Sequence, residues 1–103
     1  MDDEQIKLGG NIQLTGFKII DGSSMIVLKK IVGNYAKRIS EITKKFEMLH
    51  ITLKPIHERE KSQKYEIHAK VIDDGKVYAS ETTERNLFVA IDSTLKKIVN
   101  ELS

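Results

Sequence analysis

Along this chain the spacing of apolar residues switches between two and about 3.6, and that succession of periods restricts the fold more than any single residue does. "NIQLTG" alternates Ile12 and Leu14 with Gln13 and Thr15, the period of a half-buried strand. After the turn residues of "DGSS", with serine as the expected cap, Leu28, Ile31, Val32, Tyr35, Ile39 and Ile42 recur at helical spacing. This predicts an amphipathic helix from about Ser24 to Thr43, with Gly33 on its far side. "MLHITLKP" then turns Leu49, Ile51 and Leu53 inward and His50, Thr52 and Lys54 outward, and Pro55 is expected to end the pairing. "HEREKSQ" reads as a flexible hairpin loop, after which "KYEIHAKV" directs Tyr65, Ile67, Ala69 and Val71 inward. "DDG" supplies a tight turn into the last strand, "KVYASE". A three-residue loop there faces Val77 and Ala79 to the core and a two-residue loop faces Tyr78 to it; the former pair is favoured. Leu87, Phe88, Ile91, Leu95, Ile98 and Leu102 form the stripe of a closing helix.

The expected fold is therefore α+β, in the order β-α-β-β-β-α, with a four-stranded mixed sheet and both helices on one face. A right-handed crossover makes the first two strands parallel, while hairpins make the rest antiparallel. Residues 1–10 are expected to be a flexible tail ending in Gly9-Gly10, although Ile6 and Leu8 alternate and would suit a short edge strand. Residues 11–103 then form a single domain. The other sheet face, with His50, Thr52, Lys54, Glu66, His68 and Lys70, is left to solvent or a partner.

Composition narrows the function. Seventeen Lys+Arg against fifteen Asp+Glu leave a net charge of only +2, so any nucleic-acid role must rest on where the cations sit. The absence of cysteine excludes disulfides, thiol chemistry and the usual soft zinc ligands. The acidic, polar start does not resemble a secretory leader, and no apolar run suits a membrane span, so a soluble cytoplasmic chain is expected.

"NLFVAID" followed by "LKKIVNEL", preceded by "KYEIHAKVIDDGKVYAS" and with "IQLTG" opening the domain, resembles the ribosome hibernation-promoting factor and ribosome-associated inhibitor family. The resemblance spans Asn11 to Leu102 and is strongest from Phe88 to Asp92. It implies a fold similar to a double-stranded RNA-binding domain with an added strand. It also implies a cytoplasmic, non-enzymatic protein that binds the small ribosomal subunit near the decoding channel, blocks messenger and transfer RNA, and protects idle ribosomes under stress or starvation. The family contacts ribosomal RNA with basic residues on both helices; together with the rows of charge along the expected helices, this gives Lys30, Lys37, Arg38, Lys96 and Lys97 as the candidate phosphate contacts. Arg38 and Lys97 stand where relatives usually have lysine, whereas Tyr35 and Asn100 stand where a basic residue is common. The chain shows neither the lysine-rich tail of many short members nor the C-terminal dimerisation domain of long ones, so pairing of ribosomes through an appended domain is not expected.

Each feature also has a plainer reading. Lys30, Lys37 and Lys44, seven apart, form a row that a merely solvated helix face would also show. Lys96 and Lys97 shift the balance toward a joint basic surface, which Glu41, Glu47 and Glu101 dilute. His50 and His68 lie directly opposite one another if paired positions sum to 118, but two imidazoles without a third ligand make a weak zinc site, so no metal or other cofactor and no small-molecule substrate are expected. Asp92 has no nucleophile or base placed beside it and is expected to orient a neighbouring basic side chain or a backbone group, while Asp73-Asp74-Gly75 reads as turn chemistry. The alternative in another class is a protein-interaction module using the open sheet face or the edge of the last strand. A hydrolase using His50 or His68 is disfavoured.

Overall fold

The computed structural model describes residues 5–57 and 63–103. Strands β1 (Gln5–Lys7), β2 (Ile12–Thr15), β3 (Phe46–His57), β4 (Gln63–Asp73) and β5 (Lys76–Glu84) form one sheet in sequence order, with helices α1 (Gly22–Ile42) and α2 (Leu87–Leu102). The expected α+β core stands: β2-α1-β3-β4-β5-α2, with β2 parallel to β3 and the remaining pairs antiparallel. In addition, Ile6 pairs with Leu14, so the alternation of Ile6 and Leu8 does add an edge strand where a flexible tail was expected. Residues 1–4 of that tail and 58–62 of the expected flexible loop lie outside the described residues.

Both helices bury their stripes on one face of the sheet. Leu28, Val32 and Ile39 from α1 and Ile91, Leu95 and Ile98 from α2 meet Leu49, Ile51, Ile67 and Val71, all fully buried. Each such side chain removed from water contributes about 1.5–3 kcal/mol. Ala36 joins this core, while Ile42 stays 39% exposed at the end of α1. The helix starts earlier than its serines suggest: Asp21 is the cap, accepting the Ser24 amide at 3.0 Å. Hydrogen bonds from the Ser24 side chain and backbone hold the Asp21 carboxyl below its ordinary value. Asn86 caps α2 by accepting the Phe88 and Val89 amides.

Two expectations about the strands are corrected. Pro55 does not end the pairing, which continues to His57 opposite Gln63. β2 stops at Thr15, opposite Thr52, so β3 is open on that side by Pro55 and a missing N–H there costs no bond to β2. The last hairpin has a two-residue loop: Asp73 pairs with Lys76, and Asp74 and Gly75 take φ of 51° and 85°. Positive φ at both positions is the twist-matched hairpin geometry. Consequently Tyr78, Ser80 and Thr82 face the helices, while Val77 and Ala79 face outward.

Phe17, in the link from β2 to α1, is buried to 1% and closes the end of the core. Gly16 makes that link possible. Its φ is +84°, and a Cβ there would sit 2.4 Å from the Leu53 carbonyl oxygen. Gly16→Ala should lower unfolding free energy by at least about 2 kcal/mol in denaturant melts, through strain and backbone overlap. Gly33→Ala, on an open helix surface, should raise it by up to about 1 kcal/mol; equal effects of the two variants would contradict this account.

Candidate functional site

Two surfaces carry the polar chemistry, and the sheet separates them. On the helical side, Lys30 and Lys37 project from the outer surface of α1, opposite its buried stripe, and both are exposed. Lys44 lies beyond the helix end, and its backbone amide donates to Asp73 Oδ1 at 3.1 Å. Arg38 flanks the groove between the helices, its guanidinium 5.9 Å from the centre of the Tyr35 ring. Across that groove, the Tyr35 hydroxyl donates to Asp92 Oδ1 at 2.7 Å. Asp92 Oδ2 lies 3.9 Å from Lys96 Nζ one turn further along α2. Asp92 thus holds the Tyr35 hydroxyl, where a basic side chain or a backbone group is the expected partner, and reaches Lys96 only at 3.9 Å.

Lys97 departs from this group. At about 100° per residue, Asp92 and Lys97 lie on opposite flanks of α2, roughly 140° apart. Lys97 Nζ donates to the Glu81 carbonyl at 2.9 Å, at the edge of β5. The structure therefore brings Arg38 and Lys96 to the two sides of one groove, leaves Lys30 and Lys37 on the adjoining outer surface, and turns Lys97 toward the sheet edge. Among the described residues, Lys30, Lys37 and Arg38 form no ion pair.

On the open sheet face the register pairs Thr52 with His68 and His50 with Lys70, so the two histidines are diagonal and not directly opposite. His50 Nε2 lies 2.7 Å from Thr15 Oγ1. Burial, helped by the Lys70 charge, pushes the His50 imidazole below its ordinary value of 6.5. His68 has a carboxylate at each ring nitrogen: Glu66 Oε2 at Nε2, and Glu81 Oε1 3.1 Å from Nδ1. A depression of about 360 Å³ opens beside them, bounded by His50, Thr52, Lys70 and Ala79. Tyr78, a candidate for stacking on a base had it pointed outward, lies on the helix side with Lys76 over its ring at 5.2 Å.

Glu81 is the residue that sequence reasoning missed. A three-residue loop would have turned it inward with Val77 and Ala79, whereas the two-residue turn sets it outward, directly opposite His68. The recognisable signal was "DDG", whose residues suit positive φ at two successive positions. Neither a family model nor a curated protein sequence matches this chain.

Tyr35 and His50, one on each surface, are shifted in opposite senses. Burial, then the hydrogen bond to Asp92 and its charge, push the Tyr35 phenol up to about 12. Ultraviolet titration should find one tyrosine ionising near that value, and Asp92→Asn should bring it down while the fold is retained; an unchanged titration would refute the contact. For His50 the native state resists protonation, so it binds fewer protons than the unfolded chain as pH falls below 6.5. Stability present above that pH should decline on acidification, and the His50 ring resonances should titrate below 6.5. A midpoint above the ordinary value would reverse the sign.

Proposed function

We propose that this domain binds the small ribosomal subunit through its helical layer, contacting ribosomal RNA phosphates, and lowers translation or preserves idle ribosomes by occupying the messenger and transfer RNA path. The observation that carries this reading is that Lys30, Lys37 and Arg38 have no ion pair among the described residues and stand on a helix whose opposite face is committed to the core. Side chains already paired to carboxylates have to exchange partners to bind phosphate; these do not. Lys96 adds a charge across the groove, partly engaged by Asp92, and Lys97 adds a more distant one at the β5 edge.

The order β-α-β-β-β-α with both helices on one face also agrees with what the resemblance implies. With a net charge of +2, specificity would come from the fit of this layer to an RNA-lined channel more than from bulk attraction. The proposed action is steric, with no covalent step.

The β5 edge offers a second reading, strand addition by a protein partner. That edge already has one carbonyl occupied, at Glu81, by Lys97. Pairing there would have to displace the lysine, so the helical layer is the preferred interface.

If about four to six phosphate contacts form, binding to purified small subunits should weaken with salt at a log–log slope of several units. Replacing Lys30, Lys37 and Arg38 together by Gln should weaken co-sedimentation and flatten that slope by about two to three. Circular dichroism should be unchanged, since all three side chains are exposed. A folded triple variant that co-sediments with the wild-type salt dependence would remove the helical layer as the binding surface.

A further inference from the structure

The geometry points to a divalent transition-metal site on the open sheet face, made by Glu66, His68 and Glu81 and suited to Zn²⁺. It does not rest on the ribosomal reading, because it lies on the side of the sheet away from α1 and α2.

Strand geometry assembles the three residues. Glu66 and His68 are two apart on β4 and therefore project from the same face. Glu81 is directly opposite His68 on β5, so its side chain projects there too. One donor atom from each residue lies within 4.8 Å of the others. Glu66 lies at Nε2 and Glu81 at Nδ1, so an ion held at Nε2 with Glu66 needs the Glu81 carboxylate to swing round the ring. Glu81 is 70% exposed, so it can adjust its rotamer to complete the set without disturbing the core.

A second observation concerns the imidazole itself. Both ring nitrogens face carboxylate oxygens, yet a neutral imidazole has one N–H and one lone pair. Both contacts are met when the imidazole carries a second proton, or when a metal ion lies at one nitrogen and the other N–H donates to its carboxylate. In the second case the two carboxylates balance the charge of the ion. The donor set of one imidazole and two carboxylates, with no thiolate, favours zinc or a similar first-row ion over Mg²⁺, which prefers oxygen alone and near-octahedral geometry. The remaining coordination positions open toward the depression bounded by His50 and Thr52, where water or an exogenous ligand would complete the shell.

The experiment is titration of ZnCl₂ into the full chain in a non-chelating buffer, followed by calorimetry, by the thermal midpoint and by the histidine ring resonances. One Zn²⁺ should bind per chain, the melting midpoint should rise, and the His68 resonances should shift while those of the other two histidines stay in place. His68→Gln and Glu81→Gln should each weaken binding at least about tenfold, and His50→Gln should leave it within about twofold. Mg²⁺ at the same concentration should produce neither heat nor stabilisation. Because Glu81 is an exposed side chain, its variant keeps the fold, which circular dichroism checks; zinc binding by that folded variant at wild-type affinity would overturn the site. So would the lack of any zinc response, or a response confined to the resonances of His50 or His57. Loss of ribosome binding in the α1 variant would leave every one of these outcomes unaltered, so the two readings fail separately.

Discussion

The turn at Asp74-Gly75 decides which side of the last strand meets the core, and much of the polar chemistry follows from that decision. With both residues at positive φ, Asp73 pairs with Lys76, and the parity of every later residue in β5 is fixed. The turn is anchored from outside the hairpin as well. Asp73 Oδ1 accepts the Lys44 and Lys45 amides, the Asp74 amide donates to the Lys45 carbonyl, and the Gly75 amide donates to a Glu47 carboxylate oxygen. A slip of one residue would exchange the two faces of β5 and carry Glu81 under α2, where an unpaired carboxylate is costly. The observed register has its own cost: the hydroxyl oxygens of Ser80 and Thr82 are buried without a hydrogen-bond partner, about 1–3 kcal/mol for each such group.

That competition explains what the sequence made legible. The two helices and the inward faces of β3 and β4 were readable because their apolar periods agree with their burial, from Leu28 to Ile39 and from Leu49 to Val71. In β5 the two signals conflict. Its small apolar residues Val77 and Ala79 suggest the core, yet Val77 is 56% exposed and the polar Ser80 and Thr82 lie inside. Turn geometry prevails because it acts on backbone hydrogen bonds along the whole strand, whereas Val77 and Ala79 offer little apolar area. The same conflict concealed the partner of His68, since a reading that buries Val77 also buries Glu81.

Other differences were local. Asp21 outcompetes the serines as helix cap because its carboxylate reaches the Ser24 amide. Phe17 stands apart from any periodic segment of the sequence, yet the tight turn at Gly16 folds it onto the core. In the helical layer, sequence located Lys30, Lys37, Arg38, Lys96 and Lys97 on the two helices but not the direction of each side chain, and Lys44 of the expected row lies beyond α1. Asp92 and Lys96 share the flank of α2 that faces Tyr35, while Lys97 lies across the helix. Spacing along a helix gives the angle between residues; only the packing of that helix decides which angle faces a neighbour.

Glu81 touches both surfaces, and its two functional groups divide the work. Its backbone carbonyl accepts Lys97 Nζ from α2, which satisfies an edge acceptor and holds β5 to the helix above. Its carboxylate faces the other way, toward His68. A change to the side chain therefore alters the His68 cluster while the carbonyl bond to Lys97 persists. A change to Lys97 frees an edge carbonyl while the carboxylate still meets the imidazole. Lys97 and the sheet-face cluster are consequently joined through one residue, Glu81, without sharing a charged atom.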